Sequence, residues 1–218
     1  MKAVVVAGGD ADPADVRELA DAALLVAADG GAAWLQTAGR RPHLLVGDLD
    51  SIDVDLAERL AGEGTTVERH AIDKDASDLE LALETAVRGG ADRIVILGAL
   101  AGARLDHELA NLLCVADPRW LADVADLRVV RRGVLVRAVH GGRNLELEAP
   151  PGAPVSLLPL GGDANGVTTV NLRYALHDEP LRFGRSRGLS NVVAAANASV
   201  SLERGVLLVI EYREGVET

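Results

Sequence analysis

Hydrophobic residues in the first 130 positions form short continuous runs that are separated by helical patterns. The apolar runs occupy residues 4–7, 24–28, 44–46, 94–97 and 127–130, and the helical patterns occupy residues 13–22, 32–38, 54–60, 77–88 and 105–115. Continuous apolar strands that alternate with helices are typical of a parallel sheet covered on both faces. Residues 1–132 are therefore predicted to form an α/β domain with a mostly parallel, Rossmann-like sheet.

The pattern changes after residue 132, where apolar and polar positions alternate in short segments. These segments are residues 134–140, 144–148, 155–159, 167–170, 199–202 and 206–212, and glycine and proline punctuate them. Repeated short strands with glycine-rich turns indicate an antiparallel fold. Residues 133–218 are therefore predicted to form a second, all-β sandwich domain.

Composition narrows the class of protein. The 218 residues are 49% hydrophobic and carry a net charge of −11 with only 2% aromatic residues, which argues against a nucleic-acid binder. Cys114 is the single cysteine, so an internal disulfide and a thiolate metal site are excluded. Because no apolar run approaches the roughly 18 residues of a membrane span, we expect a cytoplasmic protein with no membrane partner.

Acidic residues concentrate between positions 48 and 78. Seven aspartates lie there: Asp48, Asp50, Asp53, Asp55, Asp73, Asp75 and Asp78. The first two follow a predicted strand, at the edge of the sheet where ligands bind, and strand alternation would point both the same way. Clustered carboxylates repel one another unless a cation lies between them, and oxygen ligands suit Mg²⁺ together with substrate phosphates. The sequence therefore predicts a magnesium site formed by Asp48, Asp50, Asp73 and Asp75.

Several of these residues also have purely structural interpretations. Ser77 and Glu80 fit a capping box, Asp78 could favour the dipole of the helix that follows, and Asp53 could cap another helix. Lys74 either contacts a phosphate or neutralises its aspartate neighbours.

Glycine-containing turns follow two other predicted strands. In residues 98–104 such a turn opens a helix, and backbone N–H groups together with Arg104 could bind phosphate there. His107 is either a helix-start residue or a catalyst. Asp29 and Gly30 lie in a turn after another predicted strand. This turn either brings the backbone close to a nucleotide or is simply a tight turn with no ligand. Because neither a Walker A loop nor a G-x-G-x-x-G motif is present, a P-loop kinase and a nicotinamide dehydrogenase are disfavoured.

A loop in the second half combines glycines, hydroxyls, an amide and two arginines. It spans residues 183–191 and either binds a polar ligand or forms a solvated hairpin turn.

Taken in order, these segments resemble the thiamine pyrophosphokinase (thiamine diphosphokinase) family. The resemblance lies in residues 28–32, 47–52, 73–78, 104–111, 156–161 and 188–191. It implies an α/β catalytic domain, a C-terminal β-sandwich, and a homodimer with active sites at the subunit interface. It also implies Mg²⁺-dependent transfer of the diphosphoryl group of ATP to the hydroxyl of thiamine, with release of AMP.

The resemblance also assigns roles to individual residues. Metal and phosphate contacts fall to Asp48, Asp50, Ser51, Asp73, Lys74, Asp75 and Asp78, with Asp29 and Gly30 beside the nucleotide. Arg104, Asp106, His107 and Asn111 line the same site, and Ser190 and Asn191 help form the thiamine pocket. Tyr174 or Phe183 is the aromatic residue expected to stack on thiamine. The sequence departs from many relatives at Gly102-Ala103-Arg104, which leaves the placement of that loop open.

Three other functions compete with this interpretation. One is a diphosphokinase of the same chemistry that acts on a hydroxymethylpterin. Another is a non-catalytic nucleotide or metal sensor of the same fold, which would be expected to have lost part of the acidic motifs. A purely structural interaction domain leaves the aspartates unexplained.

Overall fold

The computed structural model of the chain describes residues 1–213, which divide into two compact units. Unit 1 is Met1–Arg132, and unit 2 begins at Gly133. Within the described residues, no helix has both the length and the apolar character needed to cross a membrane.

Unit 1, which is described throughout, alternates strands and helices. Its strands are β1 (Lys2–Val6), β2 (Leu24–Ala28), β3 (Leu44–Gly47), β4 (Thr66–Arg69), β5 (Arg93–Leu97) and β6 (Asp126–Arg131). Its α-helices are α1 (Gly31–Thr37), α2 (Val54–Gly62), α3 (Asp78–Arg88) and α4 (Leu105–Val115), and 3-10 helices form at Pro13–Leu19 and Pro118–Ala122. The predicted α/β class is confirmed, although β4 was not predicted.

The sheet of unit 1 is parallel, with the strand order β6-β5-β1-β2-β3-β4. The chain moves outward from β1 through β2, β3 and β4, and then returns to the other side of β1 with β5 and β6. The strand order therefore reverses between β1 and β5. At such a switch point the loops at the carboxyl ends of the strands diverge and leave a crevice for a ligand.

Glycines bring the backbones of these loops into direct contact. A Cβ on Gly31 would lie 2.0 Å from the carbonyl oxygen of Val6, and one on Gly9 would lie 2.3 Å from that of Gly98. The Gly9 N–H also donates a hydrogen bond of 2.9 Å to the Gly98 carbonyl. Because side chains do not fit between the loops, the floor of the crevice is backbone.

Side-chain caps fix the starts of two helices. The Ser77 hydroxyl accepts a hydrogen bond of 3.2 Å from the Glu80 N–H at the start of α3. The Asp53 carboxylate accepts bonds of 2.8 and 3.3 Å from the N–H groups of Asp55 and Leu56 at the start of α2. Asp53 is therefore the N-cap of α2. A capping role was one of the two interpretations that the sequence allowed for this residue.

Unit 2 is rich in antiparallel strands. The described strands are β7 (Val134–His140), β8 (Asn144–Glu146), β9 (Pro154–Pro159), β10 (Ala164–Val170), β11 (Glu179–Leu181), β12 (Asn191–Val192), β13 (Ser199–Ser201) and β14 (Val206–Tyr212). They pair in the orders β12-β9-β14-β7 and β11-β10-β13-β8. Both sets contribute to one core that includes Leu157, Val167, Val200 and Val209. The antiparallel character is confirmed, whereas the finer labels, sandwich for unit 2 and Rossmann-like for unit 1, stay predictions.

A buried ion pair joins two neighbouring strands of unit 2. The Nη2 of Arg137 on β7 lies 2.5 Å from Oε1 of Glu211 on β14, and Glu211 is wholly buried. Its Oε2 accepts hydrogen bonds of 2.5 and 3.0 Å from the N–H groups of Glu148 and Ala149. A buried charge is tolerated only when it is paired and hydrogen-bonded, so these contacts depend on one another.

Candidate active site

A cleft of about 460 Å³ opens in unit 1 at the switch point of the sheet. Its floor includes Gly8 and Gly9 after β1 and Gly98 after β5, and its walls include the first turns of α3 and α4. This volume lies in the range of small-molecule sites, which run from about 300 to 1,000 Å³. A floor of backbone groups suits a ligand whose phosphates accept N–H hydrogen bonds.

Three carboxylates meet at this end of the sheet. Asp29 follows β2, Asp48 follows β3 and Asp78 begins α3, and each offers an oxygen that lies within 4.8 Å of the other two. These three residues are called the aspartate trio below. The trio joins residues from three separate segments, because the parallel strands end at the same edge of the sheet.

Lys74 lies against the trio. Its Nζ is 2.8 Å from Oδ2 of Asp48 and 3.0 Å from Oδ1 of Asp78. The hydrogen bond from Lys74 is the largest cause of a lowered pKa at Asp48, and the Asp50 N–H adds to it. Burial by itself lowers the pKa of Lys74, but its bonds to Asp48 and Asp78 outweigh burial, and the pKa is raised. Lys74 is therefore a charged ammonium that bridges two of the carboxylates.

Asp29 is the least compensated member of the trio. It is 7% exposed, and its Oδ1 is buried without a hydrogen-bond partner among the described residues. Burial raises the pKa of Asp29, the charges of Asp78, Asp48 and Asp50 raise it further, and a hydrogen bond with Ser51 opposes them. An all-oxygen donor set with an unpaired buried carboxylate oxygen fits a hard divalent cation such as Mg²⁺.

Of the four metal ligands predicted from sequence, Asp48 is in the trio. Asp50, Asp73 and Asp75 are exposed and do not belong to it. The expectation that strand alternation aligns Asp48 with Asp50 is wrong, because β3 ends at Gly47 and Leu49 has a φ of 66°. In the resulting turn the Asp50 N–H donates to Oδ1 of Asp48 over 3.2 Å.

The start of α4 forms another wall of the cleft. The guanidinium of Arg104 donates two hydrogen bonds, of 2.9 and 2.5 Å, to the carboxylate of Asp106 and holds the pKa of that carboxyl at about 2. Both side chains are exposed, and His107 also lines the cleft. The Nδ2 of Asn111 donates a bond of 2.8 Å to the Ala99 carbonyl. Arg104 is the N-cap of α4 and makes no side-chain capping hydrogen bond, whereas the Asp106 carboxylate accepts hydrogen bonds from the N–H groups of Asp106 and His107 in the first turn.

In unit 2, Asn191 is buried and its side-chain amide makes three hydrogen bonds within the chain. Its Oδ1 accepts bonds of 3.0 and 2.8 Å from the N–H groups of Tyr174 and Val192, and its Nδ2 donates a bond of 2.8 Å to the Tyr174 carbonyl. Asn191 therefore holds the backbone of Tyr174. Ser190 has an exposed side chain and a φ of 56°.

Residues 183–191 do not form a hairpin turn. They connect β11, which pairs with β10, to β12, which pairs with β9 in the other set of strands. Close packing places the end of this loop, since a Cβ on Gly188 would lie 2.1 Å from the carbonyl oxygen of Leu157. The hairpin alternative left open by the sequence is wrong because the two flanking strands are not partners.

Gly8 and Gly9 also line the cleft and were not predicted from the sequence. A signal for them existed: they follow the first strand as Gly30 and Gly31 follow the second. Two strand ends with paired glycines in one parallel sheet indicate a shared backbone floor.

Comparisons with known proteins identify one matching family model for each of the two units. Residues 16–122 match the family model "Thiamin pyrophosphokinase, catalytic domain", and residues 144–207 match "Thiamin pyrophosphokinase, vitamin B1 binding domain". The chain is 25% identical to thiamine pyrophosphokinase of Bacillus subtilis in an alignment of 197 residues. The alignment covers 86% of this chain and 86% of that protein.

Solved structures share the fold. A thiamine pyrophosphokinase crystal structure from Bacillus subtilis aligns with a TM-score of 0.84 and 24% identity, over 99% of this chain and 100% of that one. One from Geobacillus thermodenitrificans aligns with a TM-score of 0.80 and 27% identity, over 99% of both chains. With two family models that together match well over half of its length, the chain belongs to the thiamine pyrophosphokinase family.

Proposed function

We propose that this chain is a thiamine diphosphokinase, which transfers the diphosphoryl group of ATP to the hydroxyl of thiamine and releases AMP. The observation that carries the proposal is the aspartate trio beside a cleft whose floor contains glycines. The two units of the chain also match the two domains of this family. The trio supplies metal ligands, and the cleft supplies N–H groups for phosphates.

The two units divide the substrates between them in this proposal. ATP and Mg²⁺ bind residues 1–132, which hold the trio and the match to the catalytic domain. Thiamine binds residues 133–218, which hold the match to the vitamin B1 binding domain. We also propose that the reaction takes place in the cytoplasm, which is the location expected from the sequence.

The residues of the cleft support phosphoryl-type transfer, which depends on positioning and on neutralising charge more than on covalent chemistry. Asp29, Asp48 and Asp78 would hold Mg²⁺, which when bound neutralises phosphate charge. Backbone N–H groups of the cleft, other than that of Gly9, which is bonded to the Gly98 carbonyl, orient the phosphate oxygens. Arg104 exchanges its exposed pairing with Asp106 for a phosphate, since the guanidinium fork fits both anions.

The test of this proposal is the reaction itself. Purified protein is incubated with ATP, Mg²⁺ and thiamine, and nucleotides and thiamine species are separated by chromatography. AMP and thiamine diphosphate in equal amounts are expected. ADP with thiamine monophosphate would contradict the diphosphoryl mechanism. Turnover of a hydroxymethylpterin instead of thiamine would favour the pterin alternative, and nucleotide binding without any turnover would favour the sensor.

Tyr174 is the proposed stacking partner of thiamine. Tyr174 is 53% exposed as a residue, and Asn191 holds its backbone immediately beside Ser190. Phe183 is also exposed, but its backbone N–H is bound by Asp163, outside the Ser190-Asn191 pair. A rigidly held aromatic face suits the cationic thiazolium ring of thiamine.

We expect Tyr174→Ala to raise KM for thiamine about tenfold, because a lost cation–π contact of about 1–2 kcal/mol corresponds to that factor. Steady-state kinetics with thiamine varied at saturating ATP measure it. Tyr174→Phe keeps the ring and should keep KM, and Phe183→Ala is the matched aromatic control. A rise in KM for Phe183→Ala with none for Tyr174→Ala would reverse the assignment.

A homodimer is the proposed assembly, and one face of α4 supports it. Leu105, Leu109 and Leu113 stand four residues apart on that helix and are 69%, 53% and 56% exposed. Residues at this spacing share one face, and a contiguous exposed apolar stripe marks an interaction surface more than scattered single residues do. A second copy of the chain is the occupant proposed for this stripe.

We expect Leu109→Glu to convert the dimer to monomer, because the charge would be buried against apolar side chains. Sedimentation equilibrium measures the mass. Val54→Glu is the control, since Val54 is 65% exposed on α2 and receives the same change. If Leu109→Glu is still a dimer, the interface lies elsewhere on the protein. If the parent protein is itself a monomer, the proposed homodimer is contradicted.

A further inference from the structure

A cation of the chain itself, the Lys74 ammonium, lies at the aspartate trio. Asp48 and Asp78, which hold the Lys74 ammonium at 2.8 and 3.0 Å, are two of the three carboxylates that offer oxygens to a metal. The side chains of Lys74 and Asp48 are only 15% and 11% exposed. Lys74 is thus enclosed with its partners rather than extended over the surface.

The choice of lysine here stands out in this chain. Of its 22 lysine and arginine residues only Lys2 and Lys74 are lysines, and Lys2 lies at the start of β1, where it donates to the Ala20 carbonyl. Other carboxylates pair with arginine, as Asp106 and Glu211 do. Arginine is a planar fork that grips a carboxylate with two bonds, whereas lysine is a compact charge on a flexible stem.

We propose that Lys74 is a displaceable resident cation: its ammonium occupies the cation position of the aspartate trio in the free protein and leaves it when a divalent ion binds. The inference concerns the metal site of the proposed activity and takes the identity of the ion, Mg²⁺, from that proposal. An ammonium within 3.0 Å of two of the three carboxylates competes with a divalent ion for the same carboxylate groups.

Two consequences follow from this exchange. A divalent ion alone binds weakly, because it must break two enclosed ion pairs before it gains its ligands. Binding also releases a positive charge beside the cleft, and a polyphosphate can pair with that charge. Metal and nucleotide therefore bind together more tightly than either binds alone, and Lys74 is the residue that couples them.

The first experiment observes Lys74 directly in the full-length protein. Growth with [¹³Cε]lysine labels Lys2 and Lys74, so the ¹H–¹³C spectrum holds two lysine signals. Lys2→Arg leaves the signal of Lys74 alone and assigns it. Titration with MgCl₂ is expected to shift the Lys74 signal toward that of a solvated lysine, while the Lys2 signal stays in place.

The second experiment measures affinity for Mn²⁺ alone by electron paramagnetic resonance. We expect Lys74→Met, which keeps the length of the side chain and removes its charge, to bind Mn²⁺ at least about tenfold more tightly than the parent protein. Lys74→Arg should bind no more tightly than the parent protein, and Lys2→Met is the control for loss of a lysine elsewhere. A non-hydrolysable ATP analogue should raise the Mn²⁺ affinity of the parent protein more than that of Lys74→Met.

The proposal is overturned by a Lys74 signal that stays in place while Mg²⁺ saturates its site. It is equally overturned by equal or weaker Mn²⁺ binding in Lys74→Met, or by no Mn²⁺ binding in either protein. If Lys74→Met does not fold, the titration of the labelled parent protein decides. None of these measurements uses thiamine or turnover, so a failure of the proposed enzyme activity is detected separately.

Discussion

Asp29→Asn is expected to lower kcat about a thousandfold, because a lost metal ligand forfeits several kcal/mol of transition-state stabilisation and about 1.4 kcal/mol corresponds to each factor of ten. The same change should raise the thermal midpoint at neutral pH. Asparagine keeps the size of the side chain but removes a charge that is buried beside Asp48 and Asp78. Activity and stability are thus expected to move in opposite directions, which distinguishes loss of a ligand from loss of the fold.

The pH dependence of stability follows from the raised pKa of Asp29. An acid whose pKa is higher in the folded state than in the unfolded state favours folding below its unfolded pKa, and that contribution is lost as pH rises through the folded pKa. At neutral pH the parent protein therefore carries the cost of ionising Asp29, and Asp29→Asn does not. The gain in midpoint should shrink as the pH is lowered, which thermal unfolding at a series of pH values from neutral downward measures.

Two variants serve as comparisons for Asp29→Asn. Asp53→Asn makes the same chemical change at a helix cap, where asparagine is as good a cap as aspartate, and should leave kcat and stability unchanged. Asp75→Asn tests the metal ligands predicted from sequence. If Asp75→Asn lost as much activity as expected for Asp29→Asn while Asp29→Asn kept it, the metal would be assigned to the exposed aspartates rather than to the trio.

Glu211→Ala should lower the free energy of unfolding of unit 2 by about 3 kcal/mol, because the buried Arg137 guanidinium loses its short ion pair. It keeps a longer pairing with Glu148, at 3.7 Å, and a hydrogen bond to the Glu146 carbonyl. The N–H groups of Glu148 and Ala149 lose their acceptor as well. Glu211→Gln keeps an oxygen for these N–H groups and should lose less. Urea unfolding of the full chain measures the change.

An exposed pair in the same unit is the matched control for Glu211→Ala. Arg187 and Glu179 are 3.4 Å apart with side chains 49% and 41% exposed. Glu179→Ala should therefore cost less than about 1 kcal/mol, since exposed ion pairs contribute little. Equal losses for Glu211→Ala and Glu179→Ala would contradict the role assigned to burial.

The sequence was sufficient for elements that bury continuous apolar runs. Strands β1, β2 and β5 have buried patterns over nearly their whole length, so hydrophobicity alone predicts them. Strand β4 reads Thr-Val-Glu-Arg at the edge of the sheet and buries none of these residues fully. Its strand conformation comes from pairing with β3, which is a tertiary interaction that a local pattern does not contain.

The sequence predicted a metal site at the edge of the sheet where the aspartate trio lies, but it did not select the three aspartates that meet there. Seven aspartates lie between positions 48 and 78, and spacing along the chain favoured those that are close in sequence. The trio instead joins Asp29 to Asp48 and Asp78 across three segments, because the ends of β2 and β3 and the start of α3 converge in space. Leu49, in its left-handed conformation, turns Asp50 out of the alignment that a strand would give.

Helix α4 packs weakly against the rest of unit 1 for an element that forms a wall of the cleft. Among its eleven residues only Val115, at the last position, is buried, whereas α3 buries five. Amide protons in the first turns of α4 should therefore exchange through local unfolding at a small fraction of the global free energy. In the proposed homodimer a second copy covers the leucine face and supplies the missing anchor. Dilution would then disorder the wall of the cleft, and specific activity would fall with enzyme concentration although no catalytic group had changed.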